Sequence, residues 1–293
     1  MEKTLIYRKA RKGVAEQYGV NIPKKFIEEM KYSFTQLEKE FNRLVIELTD
    51  EKLVELNLLS SDGEITYEGI LLSDQCKSGI KLIDYMNDEK IEVVTSSLIA
   101  QYMVIKEKLI QISTEMKYPL KSILEALKNM ILHRDYSYNG DSIIRIYKDR
   151  LEFISLGGLI ANLTVEGIEL GISVPRNPNL MKVFQEIGIT KANGEGIQEI
   201  LSAYKEYKVK LVFKSIGGVF QVILLKPEYT VNGKIISDKY RRILEFIESR
   251  GTVSNKDIQE HLELKSTNVV NYLKEMLELE LIEKIREGEK YQL

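Results

Sequence analysis

The chain has 293 residues, 29% of them charged and 44% hydrophobic, with a formal net charge of -2. That balance supplies apolar material for two or three domains, and it rules out nucleic-acid binding through a global positive field, so any such contact must be local. A lone cysteine, Cys76, excludes an internal disulfide, and only two histidines, His133 and His261, argue against a zinc site.

Cys76 reads as a small packed side chain in a reducing, cytoplasmic protein. The opening "MEKTLIYRKARKGVAEQYG" lacks the apolar core of a secretory signal, and no apolar run approaches the ~20 residues of a membrane span. Arg8, Lys9, Arg11 and Lys12 make a basic cluster, read as a solvated or a phosphate-contacting arm. "PKKFIEEMKYSF" predicts a helix from Pro23, with Phe26, Met30 and Phe34 at four-residue intervals. A second helix is expected after Thr49, a good N-cap. Ser61-Asp62-Gly63 reads as a turn, and "EITYEGILL" as a short alternating, wing-like strand. Residues 1–84 are thus expected to form a helical, wing-like region.

Further on, "IEVVTSS" predicts a strand and "LIAQYMVIKEKLIQISTEM" a long helix that Tyr118-Pro119 breaks. A helix then runs from Leu120 into the polar cluster His133, Arg134 and Asp135. "SIIRIYKD" and "RLEFISL" are two strands across Lys148-Asp149. A Gly-rich loop, a short helix, a helix at Pro178, a Gly-rich turn into "IQEILSAYKEY" and a hairpin about Gly217-Gly218 follow. No βαβ period repeats, so residues 85–228 predict an α+β domain with a mixed or antiparallel sheet and helices on one face. "KPEYTVNGKIIS" reads as a linker.

Residues 235–293 predict three helices and a hairpin: "DKYRRILEFIESRG", a helix capped by Ser254, "KSTNVVNYLKEMLELELI" and strands about Gly288. That order is a winged helix-turn-helix, whose third helix enters a DNA major groove. The expected contacts to double-stranded DNA are Lys265, Ser266, Thr267, Asn268, Asn271 and Lys274 on that helix, with Arg286 and Lys290 on the wing. The same segment also suits dimerisation or protein contact.

Glu125 and Asn129 share a helical face at i and i+4. Followed by a strand pair, a Gly-rich loop and Gly194-Glu195-Gly196 at a helix start, they have the order of a nucleotide site. The Asn129 amide could bind magnesium, Glu125 could orient or deprotonate water, and Gly194 and Gly196 let backbone N–H groups approach phosphate.

"EALKNMILHRDYSYNG", "RLEFISLGGL", "VPRNPNLMKVFQEIGI", "NGEGIQEI" and, upstream, "GILLSDQC" resemble the Schlafen-AlbA-type transcriptional regulators over roughly Leu48 to Leu225. The resemblance implies a divergent GHKL-like ATP-binding domain at 85–228, followed by a winged helix. It places Glu125 and Asn129 at the N-box acid and magnesium-binding amide, Gly157 and Gly158 at the first Gly box, and Gly194, Glu195 and Gly196 at the second. ATP and magnesium are the implied ligands. The family's ATPases carry an Asp for the adenine amino group just before the first Gly box; here the residues are Ser155-Leu156-Gly157-Gly158. Members usually begin with an AlbA-like domain for which this chain has no room; "TLIYRKARKGVAE" reads as the tail of one. The expected function is a DNA-binding transcriptional regulator, as a homodimer and without a membrane partner. A magnesium-dependent ATPase with Glu125 as general base is one alternative, and a protein-interaction scaffold is another. The HRD triplet has two readings, loop pairing with His133 as a helix cap, or a ligand-facing role.

Overall fold

The computed structural model describes residues 7–8, 31–160, 162–191, 195–205, 211–226, 230–231, 234–285 and 290–292. Two compact units emerge: Met1–Glu206 with Leu211–Leu224, and Tyr207–Lys210 with Leu225–Leu293.

The larger unit is α+β, built on a six-stranded mixed sheet. Its strands are β3 (Gly79–Asp84), β4 (Lys90–Thr95), β5 (Ser142–Ile146), β6 (Arg150–Leu156), β7 (Val212–Ile216) and β8 (Val219–Leu225), in the order β4-β3-β5-β6-β8-β7. β3 and β5 run parallel, while β3–β4, β5–β6 and β7–β8 are antiparallel. In β5 the alternation is strict: Ser142, Ile144 and Ile146 are buried, and Ile143 and Arg145 partly exposed. Period two therefore makes one apolar face, and the register sets Ile144 beside Leu82 and Phe153. Glu152 on the opposite face is held by Arg150 at 2.6 Å, Gln221 at 3.2 Å and Arg145 at 3.4 Å.

Eight helices accompany the sheet among the described residues of this unit. They are α1 (Thr35–Arg43), α2 (Asp50–Glu55), α3 (Tyr67–Leu72), α4 (Leu98–Met116), α5 (Leu120–Leu132) and α6 (Val165–Glu169); α7 (Pro178–Glu186) and α8 (Gly196–Lys205) follow. The expected cap operates, with the Thr49 hydroxyl accepting from Lys52 N–H at 3.3 Å, and Ser97, which was not anticipated, accepts from Ala100 N–H at 3.2 Å. Phe34, which precedes α1, has no capping oxygen. Asp74 supplies one instead, its Oδ2 accepting from Thr35 N–H at 3.1 Å, Thr35 Oγ1 at 2.6 Å and Ser33 Oγ at 2.7 Å. Cys76 is buried, and desolvation pushes its thiol up to about 11, so it is packed rather than reactive.

Three readings of this unit need correction. Lys31–Tyr32 is not helical but a strand (β2) paired with Tyr7–Arg8 (β1); Tyr32 and Phe34 are both buried, a period of two that overrides the four-residue spacing, and the start of the expected helix lies outside the described residues. "YEGILL" is helix α3 rather than a strand, because the Thr66 hydroxyl accepts from Gly69 N–H at 3.0 Å. β3 was not anticipated, although Ile80 and Leu82 alternate in it; Lys81 and the neighbouring turn residues mask the signal.

The smaller unit contains α9 (Asp238–Arg250), α10 (Asn255–Leu262) and α11 (Ser266–Glu278), with a sheet of β11 (Val253–Ser254), β13 (Lys290–Gln292) and β12 (Glu283–Ile285). Ile243, Ile247, Val253, Ile258, Val269, Leu273 and Met276 form its core. The Ser254 capping box closes with Asp257. Within the expected linker β9 (Thr230–Val231) pairs with β10 (Lys234–Ile235), and Ile236 joins the core.

Gly69 is enclosed without a side chain; a Cβ there would lie 2.2 Å from the Leu58 carbonyl oxygen and 2.7 Å from Ile65. Gly69→Ala is expected to cost at least about 1–3 kcal/mol, read as a lower urea midpoint of the larger unit.

Candidate functional site

One cavity of about 340 Å³ runs along α5 in the larger unit. Lys121, Glu125, Lys128, Asn129, Leu132 and His133 all line it. These positions recur at three- and four-residue steps, so one face of the helix forms a wall of the cavity. Ile123, Ala126, Leu127, Met130 and Ile131 supply the opposite, buried stripe. At the helical rise, Lys121 and His133 lie about 18 Å apart along the axis, so the cavity has two chemically distinct ends.

The end near Lys121 is charged. There α8 starts at Gly196 and brings Glu199 alongside Glu125. Lys128 Nζ donates to Glu125 Oε1, and Lys121 pairs with Glu199 at 3.4 Å. Burial pushes the Glu125 carboxyl up, the Lys128 ammonium opposes the rise, and the hydrogen-bonded Glu199 carboxyl adds to it. Glu199 moves the other way: burial works against ionisation, but Glu125 and Lys121 hold it below the usual carboxylate range. The two carboxyls are in contact and titrate as a pair, with Glu125 the member whose proton affinity is raised. A Cβ at Gly196 would stand 3.2 Å from Glu125 Oε2, so the start of α8 fits closely against this carboxyl.

The other end is built from the C-terminus of α5, the end of β6 and Arg176. Asp135 N–H donates to Leu156 O at 2.8 Å, and Arg176 Nη1 donates to Asp135 Oδ2 at 3.0 Å while Nη2 donates to Gly158 O. Gly157 has φ +94°, and a Cβ on it would lie 2.6 Å from Asp135 Cβ. Only glycine meets both demands. Asn177 Nδ2 bridges Leu132 O at 2.9 Å and Arg134 O at 2.8 Å, satisfying the last carbonyls of α5. His133 therefore does not act as a charged cap. Burial and the nearby Arg176 guanidinium push it down to about 4, leaving a neutral imidazole on the cavity wall.

The structure thus gathers Glu125, Asn129, Gly157, Gly158 and Gly196 into one cavity; Gly194 lies outside the described residues. Among the described residues, no protein group hydrogen-bonds the side chain of Asn129, Ser155 or His133, although all three line the cavity. Sequence reasoning missed Lys121, Lys128, Glu199 and Ser155. The first two lie at Glu125 minus four and plus three, a helical spacing that could have found them, whereas nothing local in sequence links Glu199 or Ser155 to α5. Among the described residues no cluster of three or more His, Cys, Asp or Glu could hold a metal. The polar set proposed for DNA is exposed in the smaller unit: Lys265, Ser266, Thr267, Asn268, Asn271 and Lys274 at and along α11, and Lys290 on β13. Arg286 lies outside the described residues.

Residues 140–224 match a family described as "Putative ATP-dependent DNA helicase recG C-terminal", which supports a divergent ATPase-like domain. The match takes in both Gly-rich segments and stops short of Glu125 and Asn129. The fold is similar to the DIP2311 protein from Corynebacterium diphtheriae, at a TM-score of 0.56 and 18% identity, over 89% of this chain and 60% of that one. The chain therefore spans about three-fifths of that protein's length. No curated protein matches. No helix of the described residues is long and apolar enough to cross a membrane.

His133 sets a pH dependence. Its folded value of about 4 lies below its ordinary 6.5, so the unfolded chain binds the extra proton between those values. Stability is whole above pH 6.5 and falls as the pH drops towards 4. Urea denaturation is expected to show a loss on the order of 2 kcal/mol between pH 7 and pH 5 that His133→Gln does not show.

Proposed function

We propose that the larger unit binds a nucleoside triphosphate with magnesium, and that the smaller unit is a winged helix-turn-helix through which the chain acts as a nucleotide-responsive, DNA-binding regulator. The observation that carries the first part is the convergence of the Glu125–Asn129 face, the Gly157–Gly158 segment and the start of α8 on one cavity. The N-terminus of a ten-residue helix presents free N–H groups and a partial positive charge, which suits phosphate. Lys121 and Lys128 add cations beside it.

The residues fit the metal that such a ligand brings. Asn129 offers an amide oxygen with no protein partner to compete for it, and Glu125 lies one helical turn away. When bound, magnesium neutralises phosphate charge and polarises the phosphoryl group. Asn129 would hold it and Glu125 would orient or deprotonate water. A carboxyl whose affinity for protons is raised is a stronger base once its proton and its Lys128 partner are released.

The DNA reading rests on the exposed run Lys265 to Asn268 at the start of α11, continued by Asn271 and Lys274. Those side chains donate and accept without bulk, as base edges and phosphates require. We take the working form to be a homodimer, since paired half-sites call for paired helices.

Calorimetric titration with magnesium and ATP is expected to show binding that Asn129→Ala abolishes. Glu125→Gln should keep binding and lose any turnover; a wild-type chain that takes up no nucleotide would sink this reading. For DNA, Lys265→Ala with Lys290→Ala should weaken duplex binding and lower the slope of log K against log salt by about 2. Unchanged affinity and slope would show that α11 is not the contacting helix.

A further inference from the structure

We infer that the cavity selects its ligand by the triphosphate and not by adenine: its base end is read by the Ser155 hydroxyl and the His133 imidazole, and it takes adenine and guanine nucleotides alike. This inference rests on the nucleotide reading of the same cavity.

The argument starts from where the charges lie. The carboxylates and ammonium groups of α5 and α8 gather at the Glu125–Glu199 end. His133 stands eight residues further along α5, about 12 Å down the axis. That separation puts the phosphates at one end and the base at the other. At the His133 end the wall is apolar, lined by Leu132, Leu159 and Phe220. The Arg176 guanidinium beside them is already committed to Asp135 and Gly158.

Among the described residues, Ser155 and His133 line that end with no hydrogen-bond partner. Ser155 is only 3% exposed, lies on the helix-covered face of β6 with Leu151 and Phe153, and makes no hydrogen bond among the described residues. Its hydroxyl is not one of the sealed, unpartnered side-chain atoms of the described residues, so it opens on the cavity with its hydrogen-bonding capacity free for a ligand or water. His133 is neutral for the reason given above, and its ring likewise has no protein partner.

Both groups hydrogen-bond in either direction. A hydroxyl donates once and accepts twice, and a neutral imidazole does one of each. A carboxylate in their place could only accept; it would favour the exocyclic amino group of adenine and repel the carbonyl oxygen of guanine. Ser155 and His133 rotate or change tautomer to meet either edge. Neither base leaves a buried group unpaired, and that mismatch is the penalty on which strong discrimination depends.

The test is a binding measurement on the full chain, with magnesium-ATP and magnesium-GTP titrated in parallel. The expected result is two dissociation constants within about tenfold of each other. Ser155→Asp should then bind ATP at least about tenfold more tightly than GTP. A wild-type preference for either base beyond about a hundredfold overturns this inference and leaves the nucleotide site standing. Binding of neither nucleotide overturns the site and the inference together. Should Ser155→Asp not fold, His133→Ala decides: a loss of affinity shared equally by both nucleotides supports the assignment, and unchanged affinity for both overturns it.

Discussion

A buried guanidinium with no carboxylate partner among the described residues fixes the end of α5, and the site depends on that end. Arg134 is 2% exposed. Its charge is met by three backbone carbonyls and one hydroxyl: Nη1 donates to Gly79 O at 3.4 Å and Ser142 Oγ at 3.3 Å, and Nη2 to Tyr138 O at 3.4 Å and to Gly140 O, while Nε has no partner among the described residues. The Tyr136 ring lies 5.0 Å from its centre. A buried ion left without such donors and acceptors would cost several kcal/mol, so the loop that supplies the carbonyls and the strands it touches have one acceptable arrangement. Arg134 follows α5 two residues past its last turn, and the buried stripe of Ile123, Ala126, Leu127, Met130 and Ile131 leaves Glu125 and Asn129 on the cavity side.

Asp135 and Arg176 extend the same lock to the Gly-rich segment. The Asp135 backbone touches the end of β6, its carboxylate holds Arg176, and Arg176 reaches Gly158. Asn177 closes the last turn of α5 from the neighbouring residue. The HRDYS and PRNPN stretches are therefore two halves of one polar clasp, and its members mostly position the cavity wall. His133 is the exception, since it faces the cavity with its hydrogen-bonding capacity unspent. Of the two readings open for the triplet, Arg134 and Asp135 take the structural one.

At the opposite end of α5 the geometry is electrostatic. Glu125 and Glu199 touch between flanking lysines, and the contact moves their proton affinities apart, Glu125 upward and Glu199 downward. Proton and ammonium compete for the same carboxyl oxygens. The charge state of this end will therefore follow whatever occupies it, as coupled groups do.

Sequence alone determined the elements with strong local causes. The helix Leu98–Met116, the helix Leu120–Leu132, the hairpins at Lys148-Asp149 and Gly217-Gly218 and the capping box at Ser254 all follow from periodicity, caps and turns within a few residues. The i, i+4 relation of Glu125 and Asn129 was legible for the same reason. Tertiary structure decided what depends on contacts between distant segments. Asp74 caps a helix some forty residues away, and Lys31–Tyr32 abandons the helical pattern for a strand partner. Glu199 meets Glu125 only because α8 packs on α5. Ser155 faces the cavity only because β6 presents odd-numbered residues to the helices. Burial and long-range pairing have no signature in a short window, since the desolvation that shifts Glu125 and neutralises His133 arises only when remote chain closes over them.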